Sequence, residues 1–309
     1  MAEQLYQRDV YGKALVELGK ANKDIVVMDA DLSSSTRTAL FAKEFPERFF
    51  NFGVAEQNMM ATAAGLASCG KTVFVSTFAI FASGRAWDQV RNSICYSNLN
   101  VKIVATHAGL TVGPDGASHQ ALEDIALMRV IPNMTVVVPC DGPQTREAVT
   151  AAFAAKGPFY VRLGRPKVAT VENKGEFKIG IGQVLVEGND ISIISCGVMV
   201  NEALIAVNNL RLKGVKARLI NLHTVQPIDK DIILKAAIET KAIVVCEEHA
   251  VVGGLASAVD EVVAENHPVK VVRMGVKNRF GQSGEPADLL REYNLTASDI
   301  EKTVLACIN

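Results

Sequence analysis

The chain has 309 residues, with 32 Lys and Arg against 33 Asp and Glu and a hydrophobic share of 49%. Balanced charge gives no footprint for nucleic acid or a membrane surface, and no apolar run nears the ~20 residues needed to span a bilayer. The six cysteines are scattered without a CxxC pair, which argues against a disulfide scaffold or a zinc module and for reduced thiols in a cytoplasmic protein.

At ~100–200 residues per domain, the length suggests two domains. The first residues alternate charged and apolar types and do not read as a signal peptide. Tyr11, Leu15 and Leu18 repeat as on one helix face, and residues 25–28 (IVVM) read as a buried strand. Further strands are expected at 72–75, 101–105, 135–138 and 159–163, with helices at 55–68, 85–96, 120–130 and 143–155. The rhythm pauses near 165–188, a Gly-, Lys- and Glu-rich stretch that reads as a connection holding a short strand or two. It resumes with strands at 191–195, 216–220, 242–246 and 269–273 and helices at 201–212, 229–239 and 254–265. Such alternation predicts an α/β chain with two doubly wound domains and mostly parallel sheets. The expected boundaries are 1–168 for the first domain, 169–188 for the linker and 189–309 for the second.

Open α/β sheets bind ligands at the carboxyl ends of their strands, so the loops there come first. Asp29-Ala30-Asp31-Leu32-Ser33-Ser34-Ser35 suits a hydroxylated or phosphorylated ligand, or equally turn and capping chemistry. Glu56 opens an apolar, small-residue helix. The helix dipole accounts for a carboxylate there, but its apolar flanks predict burial, and buried carboxylates usually have a partner or a task. Phe78 and Phe81 form either a stacking platform or ordinary core. The loop from Thr106 to Gln120 holds two of the five histidines, His107 and His119, with Asp115 between them. Its spacing fits no standard zinc pattern, and neutral imidazoles beside an Asp suit proton transfer and hydroxyl recognition. Phosphate-loop, nucleophile-elbow and HExxH motifs are missing, and Gly180-Ile181-Gly182 lacks the rest of a dinucleotide fingerprint.

With these loops in view, the chain resembles the C-terminal half of a transketolase carried as a separate subunit. GVAEQNM around Glu56, STFAIF around Phe78 and Phe81, and THAGLTVGPDGASHQ from Thr106 come in family order. The arginine block ending at Arg165, Glu247-Glu248-His249 and Arg279-Phe280-Gly281-Gln282 follow in the same order. The family's metal-binding GDG…N stretch is missing. The resemblance therefore implies half of a thiamine diphosphate site. The other half, with its magnesium or similar cation, comes from an N-terminal subunit, expectedly in an α2β2 heterotetramer acting on sugar phosphates. No metal ligand is expected from this chain.

The resemblance implies a role for each residue. Glu56 shares a proton with the aminopyrimidine ring, Phe81 stacks on that ring, Phe78 lines the pocket and Asp31 sits near the thiazolium side. His107 and His119 contact the sugar and assist proton transfers, Asp115 recognises a hydroxyl, and Arg8, Ser35 and Arg165 bind the sugar phosphate. His249 is expected to be structural or at a subunit contact.

Three departures stand out: Gly84-Arg85 replaces an aromatic and shifts the following spacing by one residue, Gly164 replaces a serine before the phosphate arginine, and Thr106-His107-Ala108 replaces the usual Thr-His-Asp. Arg162 competes with Arg165 as the phosphate ligand. Deoxyxylulose phosphate synthase and the β subunit of a 2-oxo acid dehydrogenase share the cofactor, but His107 favours ketol transfer over both. A non-catalytic regulatory subunit is the alternative of another class, opposed by the intact Glu56, Phe81, His107, Asp115 and His119.

Overall fold

The computed structural model describes residues 3–172 and 175–308, so Asn173 and Lys174 of the connecting stretch lie outside the described residues. In chain order the strands are β1 (Gln4–Tyr6), β2 (Ile25–Asp29), β3 (Phe49–Asn51), β4 (Thr72–Ser76), β5 (Val101–Ala105), β6 (Thr135–Val137) and β7 (Phe159–Arg162). They continue with β8 (Lys167–Ala169), β9 (Gln183–Val186), β10 (Ile191–Ser195), β11 (Ala217–Asn221), β12 (Thr224–Gln226), β13 (Ala242–Ala250) and β14 (Lys270–Val276).

Two large sheets form. The first has seven strands in the order β12-β6-β7-β5-β4-β2-β3, and the second has five in the order β14-β13-β10-β11-β9. Pairing is parallel except at one edge of each sheet, where β12 and β9 run antiparallel to their neighbours. A separate antiparallel ribbon joins β1 to β8.

Apolar residues alternate between two cores along the buried strands. Ile25 and Val27 of β2 share a core with Tyr11 and Leu15 of helix Gln7–Ala21 and with Phe41. Val26 and Met28 share another with Met59, Met60 and Ala63 of helix Glu56–Ser68. Helices on both faces explain why β2 reads as an unbroken hydrophobic run rather than an alternating one. Each such side chain, once buried, contributes about 1.5–3 kcal/mol. The second sheet is covered in the same way, by helices Met199–Leu212 and Ala297–Ile308 on one face and Lys230–Glu239 and Leu255–Asn266 on the other. The core beneath helix Glu56–Ser68 runs on without a break into that second sheet, so the two layers pack directly on each other.

Several elements differ from expectation. Residues 85–96 do not form one α-helix; π-turns occupy Phe81–Arg85 and Gln89–Cys95. Their wider i→i+5 bonding accommodates the one-residue shift in spacing seen at Gly84-Arg85. The helix expected over 120–130 is confined to Asp124–Arg129. The carbonyls of Ala121 and Leu122 accept instead from Gly109 and Ala250, at 3.1 and 2.8 Å, which removes them from any helical ladder. Strand β13 runs on through Ala250, so Glu247, Glu248 and His249 lie within it and not beyond its end. Strand β12 completes the first sheet with residues from the second half of the chain, a pairing that no local pattern announces.

Candidate active site

Strands β3, β2, β4, β5 and β7 lie side by side and parallel, with Asp29 in register with Asn51 and Ser76, and Ala105 with Arg162. Their carboxyl ends therefore share one rim. Asp31 and Ser35, Phe78 and Phe81, His107, and Arg165 follow those ends directly.

Glu56 is the first residue of helix Glu56–Ser68 and is only 1% exposed. Arg85 Nη1 donates to both of its carboxylate oxygens, at 2.9 and 2.8 Å. The Arg85 guanidinium, half-exposed, also lies 4.4 Å from the centre of the Phe81 ring. A planar N–H donor is thus stacked on Phe81 and paired with Glu56 at once. In the sequence Arg85 stood out only as a departure; its role comes from the π-turn that swings it toward Glu56.

A row of rings leads from Phe81 into the site. Phe81 and Phe78 are nearly parallel at 6.0 Å, and Phe78 stacks on His107 at 3.9 Å. His119 meets Phe81 and Phe78 edge-on at 5.5 and 6.3 Å. His107 adopts φ +58, a left-handed conformation uncommon outside glycine and concentrated at functional sites. Its Nδ1 lies 2.8 Å from Thr106 Oγ1 and its Nε2 3.5 Å from Arg8 Nη1. A guanidinium only donates, so this geometry suits a neutral ring with the proton on Nδ1. Burial depresses the His107 imidazole to about 3, with Arg8, Arg165 and His119 adding to the effect.

Beyond His107 the site turns cationic. Arg8 Nη1 donates to the Ser35 carbonyl at 3.3 Å, so Ser35 enters the site through its backbone. Arg165 donates to the Val112 carbonyl and lies 3.9 Å from Asp115. Burial, then the charge of Arg37, lowers the Arg8 guanidinium; Arg165 adds to this and Asp9 opposes it. Two cations held toward each other favour an anion between them.

The structure separates Arg162 from Arg165. Arg162 is buried, with its Nε donating to Asp124 at 2.8 Å and its Nη2 donating to the carbonyls of Ala121 and Glu248 at 3.2 and 3.0 Å. Its Nε and Nη2 donors are spent inside the protein and it is buried, while Arg165 is 35% exposed. In the first loop, turn chemistry accounts for Asp29, which accepts from Leu32 N and the hydroxyls of Thr36 and Thr38 at 2.6, 2.7 and 2.9 Å. Asp31, exposed and at φ +64, exchanges hydrogen bonds with Asn51 and so stands to one side of the ring row. His249 is fully buried between the layers, its Nε2 3.4 Å from the Ala126 N–H, which agrees with a structural residue. Among the described residues, no group of three His, Cys, Asp or Glu is placed to hold a metal ion.

The profile of the transketolase pyrimidine-binding domain matches residues 3–170, and that of the transketolase C-terminal domain matches residues 180–300. The chain belongs to the transketolase family. It is 50% identical over 302 residues to a Methanocaldococcus jannaschii protein named for the C-terminal section of transketolase, covering 96% of this chain and 95% of that one. It is 41% identical to a 6-deoxy-6-sulfo-D-fructose transketolase subunit of a Clostridium species, covering 96% and 93%. A solved structure described as a split-gene transketolase, an inactive β4 tetramer, superposes with a TM-score of 0.91 at 52% identity, over 98% of each chain. The protein is accordingly a transketolase-family subunit whose two halves are that family's pyrimidine-binding and C-terminal domains.

The transketolase family implies thiamine diphosphate, and the side chains here fit its aminopyrimidine. The buried Glu56 carboxylate and the Phe81 ring face, joined by the flat Arg85 guanidinium, are chemistry suited to a planar heterocycle.

Proposed function

We propose that this subunit supplies the pyrimidine-binding half of a transketolase active site and moves a two-carbon ketol unit from a ketose phosphate to an aldose phosphate. A separate N-terminal subunit carrying the GDG…N motif binds the diphosphate and magnesium, and the two assemble as an α2β2 heterotetramer in the cytoplasm. In this reading residues 1–168 form the pyrimidine-binding domain, 169–188 the linker and 189–309 the C-terminal domain. The single observation that carries it is the Glu56–Arg85–Phe81 arrangement, which presents one buried carboxylate and one ring face to a planar cationic donor. A 52% identical chain, described as a split-gene transketolase in an inactive β4 tetramer, supports the need for a partner.

Thiamine diphosphate, when bound, supplies the carbon nucleophile for breaking and remaking the carbon–carbon bond. Glu56 would share a proton at its carboxylate with the aminopyrimidine, a task for which an apolar setting is suited. Phe81 gives the ring its stacking surface and Phe78 backs it. Asp31 would lie near the thiazolium side of the cofactor. His107, neutral at physiological pH, hydrogen-bonds the sugar and does not carry charge there. His119 would take a proton from a donor-sugar hydroxyl as the carbon–carbon bond breaks and return one to the alkoxide formed when the two-carbon unit adds to the acceptor aldehyde. Asp115 accepts from a hydroxyl, while Arg8, Arg165 and the Ser35 backbone bind the terminal anion; Arg162 is excluded by its internal bonds.

The test is ketol transfer from xylulose 5-phosphate to ribose 5-phosphate, with thiamine diphosphate and magnesium, by this chain alone and with its candidate partner. Activity only in the mixture is the expected result. A cofactor-loaded complex that condenses pyruvate with glyceraldehyde 3-phosphate and transfers no ketol unit overturns the reading.

A further inference from the structure

The histidine loop rests on the second domain. Leu110 is fully buried in that domain's core beside Met274, Val276 and Leu289. Glu248, on β13 of the second sheet, accepts a hydrogen bond from the main-chain N–H of Thr111. Gly109 passes so close that a Cβ there would lie 2.3 Å from the Glu248 carboxyl carbon, and its φ of +80 favours glycine on its own account. Gln120 Nε2 spans the loop's two supports, donating to the Leu110 carbonyl at 3.0 Å and to the Gln282 carbonyl at 2.9 Å. The Glu248 carbonyl also accepts from Arg162, whose strand leads to Arg165. Glu248 therefore touches the chain between His107 and Asp115 and, through Arg162, the strand behind Arg165.

Its neighbours on β13 have other tasks. Glu247 caps helix Leu255–Asn266, accepting from the N–H groups of Leu255 and Ala256 at 2.7 and 2.9 Å. His249 turns toward Ala126. Glu248 alone of the three reaches the loop, and a buried carboxylate is an expensive way to satisfy one backbone N–H. Acceptance from the Thr111 N–H, with Leu110 buried in the second core, ties the 110–112 turn to the second domain at two points.

We propose that Glu248 is a positioning residue, through which the C-terminal domain holds the loop carrying His107, Asp115 and His119 in its working geometry. The proposal rests on the transketolase reading for the meaning of that geometry, but the loop itself can be followed without turnover.

The test uses the assembled, cofactor-loaded complex with Glu248→Ala and Glu248→Gln, the second keeping an acceptor at the same reach. Amide exchange over residues 109–113, thiamine diphosphate affinity by fluorescence quenching, and kcat and KM for the donor sugar are measured together. In Glu248→Ala, exchange at 109–113 should rise at least tenfold with β2 and β4 unchanged, kcat/KM should fall at least tenfold, and cofactor Kd should stay within twofold. Glu248→Gln should restore exchange and kcat/KM to within threefold of the parent. Unchanged exchange at Thr111, unchanged kcat/KM, or loss of cofactor binding and of protection throughout the chain overturns the proposal. If Glu248→Ala does not fold, Glu248→Asp replaces it: one carbon shorter, it should loosen the loop where Glu248→Gln holds it, and equal behaviour of the two overturns the proposal. Absence of ketol transfer in the unsubstituted complex refutes the transketolase reading instead and leaves the exchange result to decide on Glu248.

Discussion

Glu56 and Glu248 are both buried glutamates, one at the rim of the first sheet and one inside a strand of the second. Glu56 faces Arg85, whose side chain is 44% exposed, so its partner can move into solvent and be replaced. Glu248 faces the Thr111 N–H within the packed junction between the domains, where no substitute can enter. Arg165 and Arg162 repeat the contrast three residues apart: one borders the open rim, the other has its donors bound to Asp124, Ala121 and Glu248. Residue type sets what a group can do. Whether it acts on a ligand or on the protein depends on whether its partner is exchangeable.

Removing the exchangeable carboxylate should have the largest effect. With Glu56→Gln in the assembled complex, turnover at saturating cofactor should fall by about 10²–10⁴-fold, as for loss of a general acid–base group; survival of turnover would make the catalytic reading wrong. Arg162→Met should act on stability, costing about 3–5 kcal/mol because it strands Asp124 and removes donors from two carbonyls. Urea denaturation measures this, and a loss below about 1 kcal/mol would contradict the internal role.

Arg165→Ala should raise KM for sugar phosphates by about 10–100-fold with little change in kcat, the range for a charge-assisted hydrogen bond of roughly 1.5–3 kcal/mol. Equal effects on unphosphorylated donors would remove it from the anion site.

The smallest effect concerns pH. Burial raises the Glu248 carboxyl to about 7, against the opposing charge of Arg162 and with Asp124 adding to the rise. A carboxyl with a raised folded-state pKa favours folding when protonated, so its contribution is fully present below the unfolded value and is lost as pH rises through about 7. Glu248→Gln should flatten the stability profile between about pH 4.5 and 7. Denaturation curves at both ends of that window check it; an unchanged slope would show that Glu248 does not titrate there.

Much of this architecture could be read from local pattern. β5 and β10 occupy the residues expected of them, 101–105 and 191–195, because strands buried on both faces are mainly apolar, with Lys102, Ser192 and Ser195 the buried polar interruptions. Elements defined by distant partners could not be read that way. β12 has three residues and owes its existence to β6, and the extension of β13 depends on β14 and the first domain. The histidine loop was legible because glycine, proline and paired histidines mark an ordered functional loop. Its supports were not, since Glu248 lies 137 residues from Thr111.

By itself, the sequence determined the α/β class, the doubly wound layering and the residue types gathered on one rim, because periodicity and strand-end chemistry are local properties. Tertiary structure decided which of two arginines stays open, that Arg85 meets Glu56, and that the second domain carries the first domain's histidine loop. Those outcomes turn on burial and on the exchangeability of partners, quantities that exist only once distant segments are packed together.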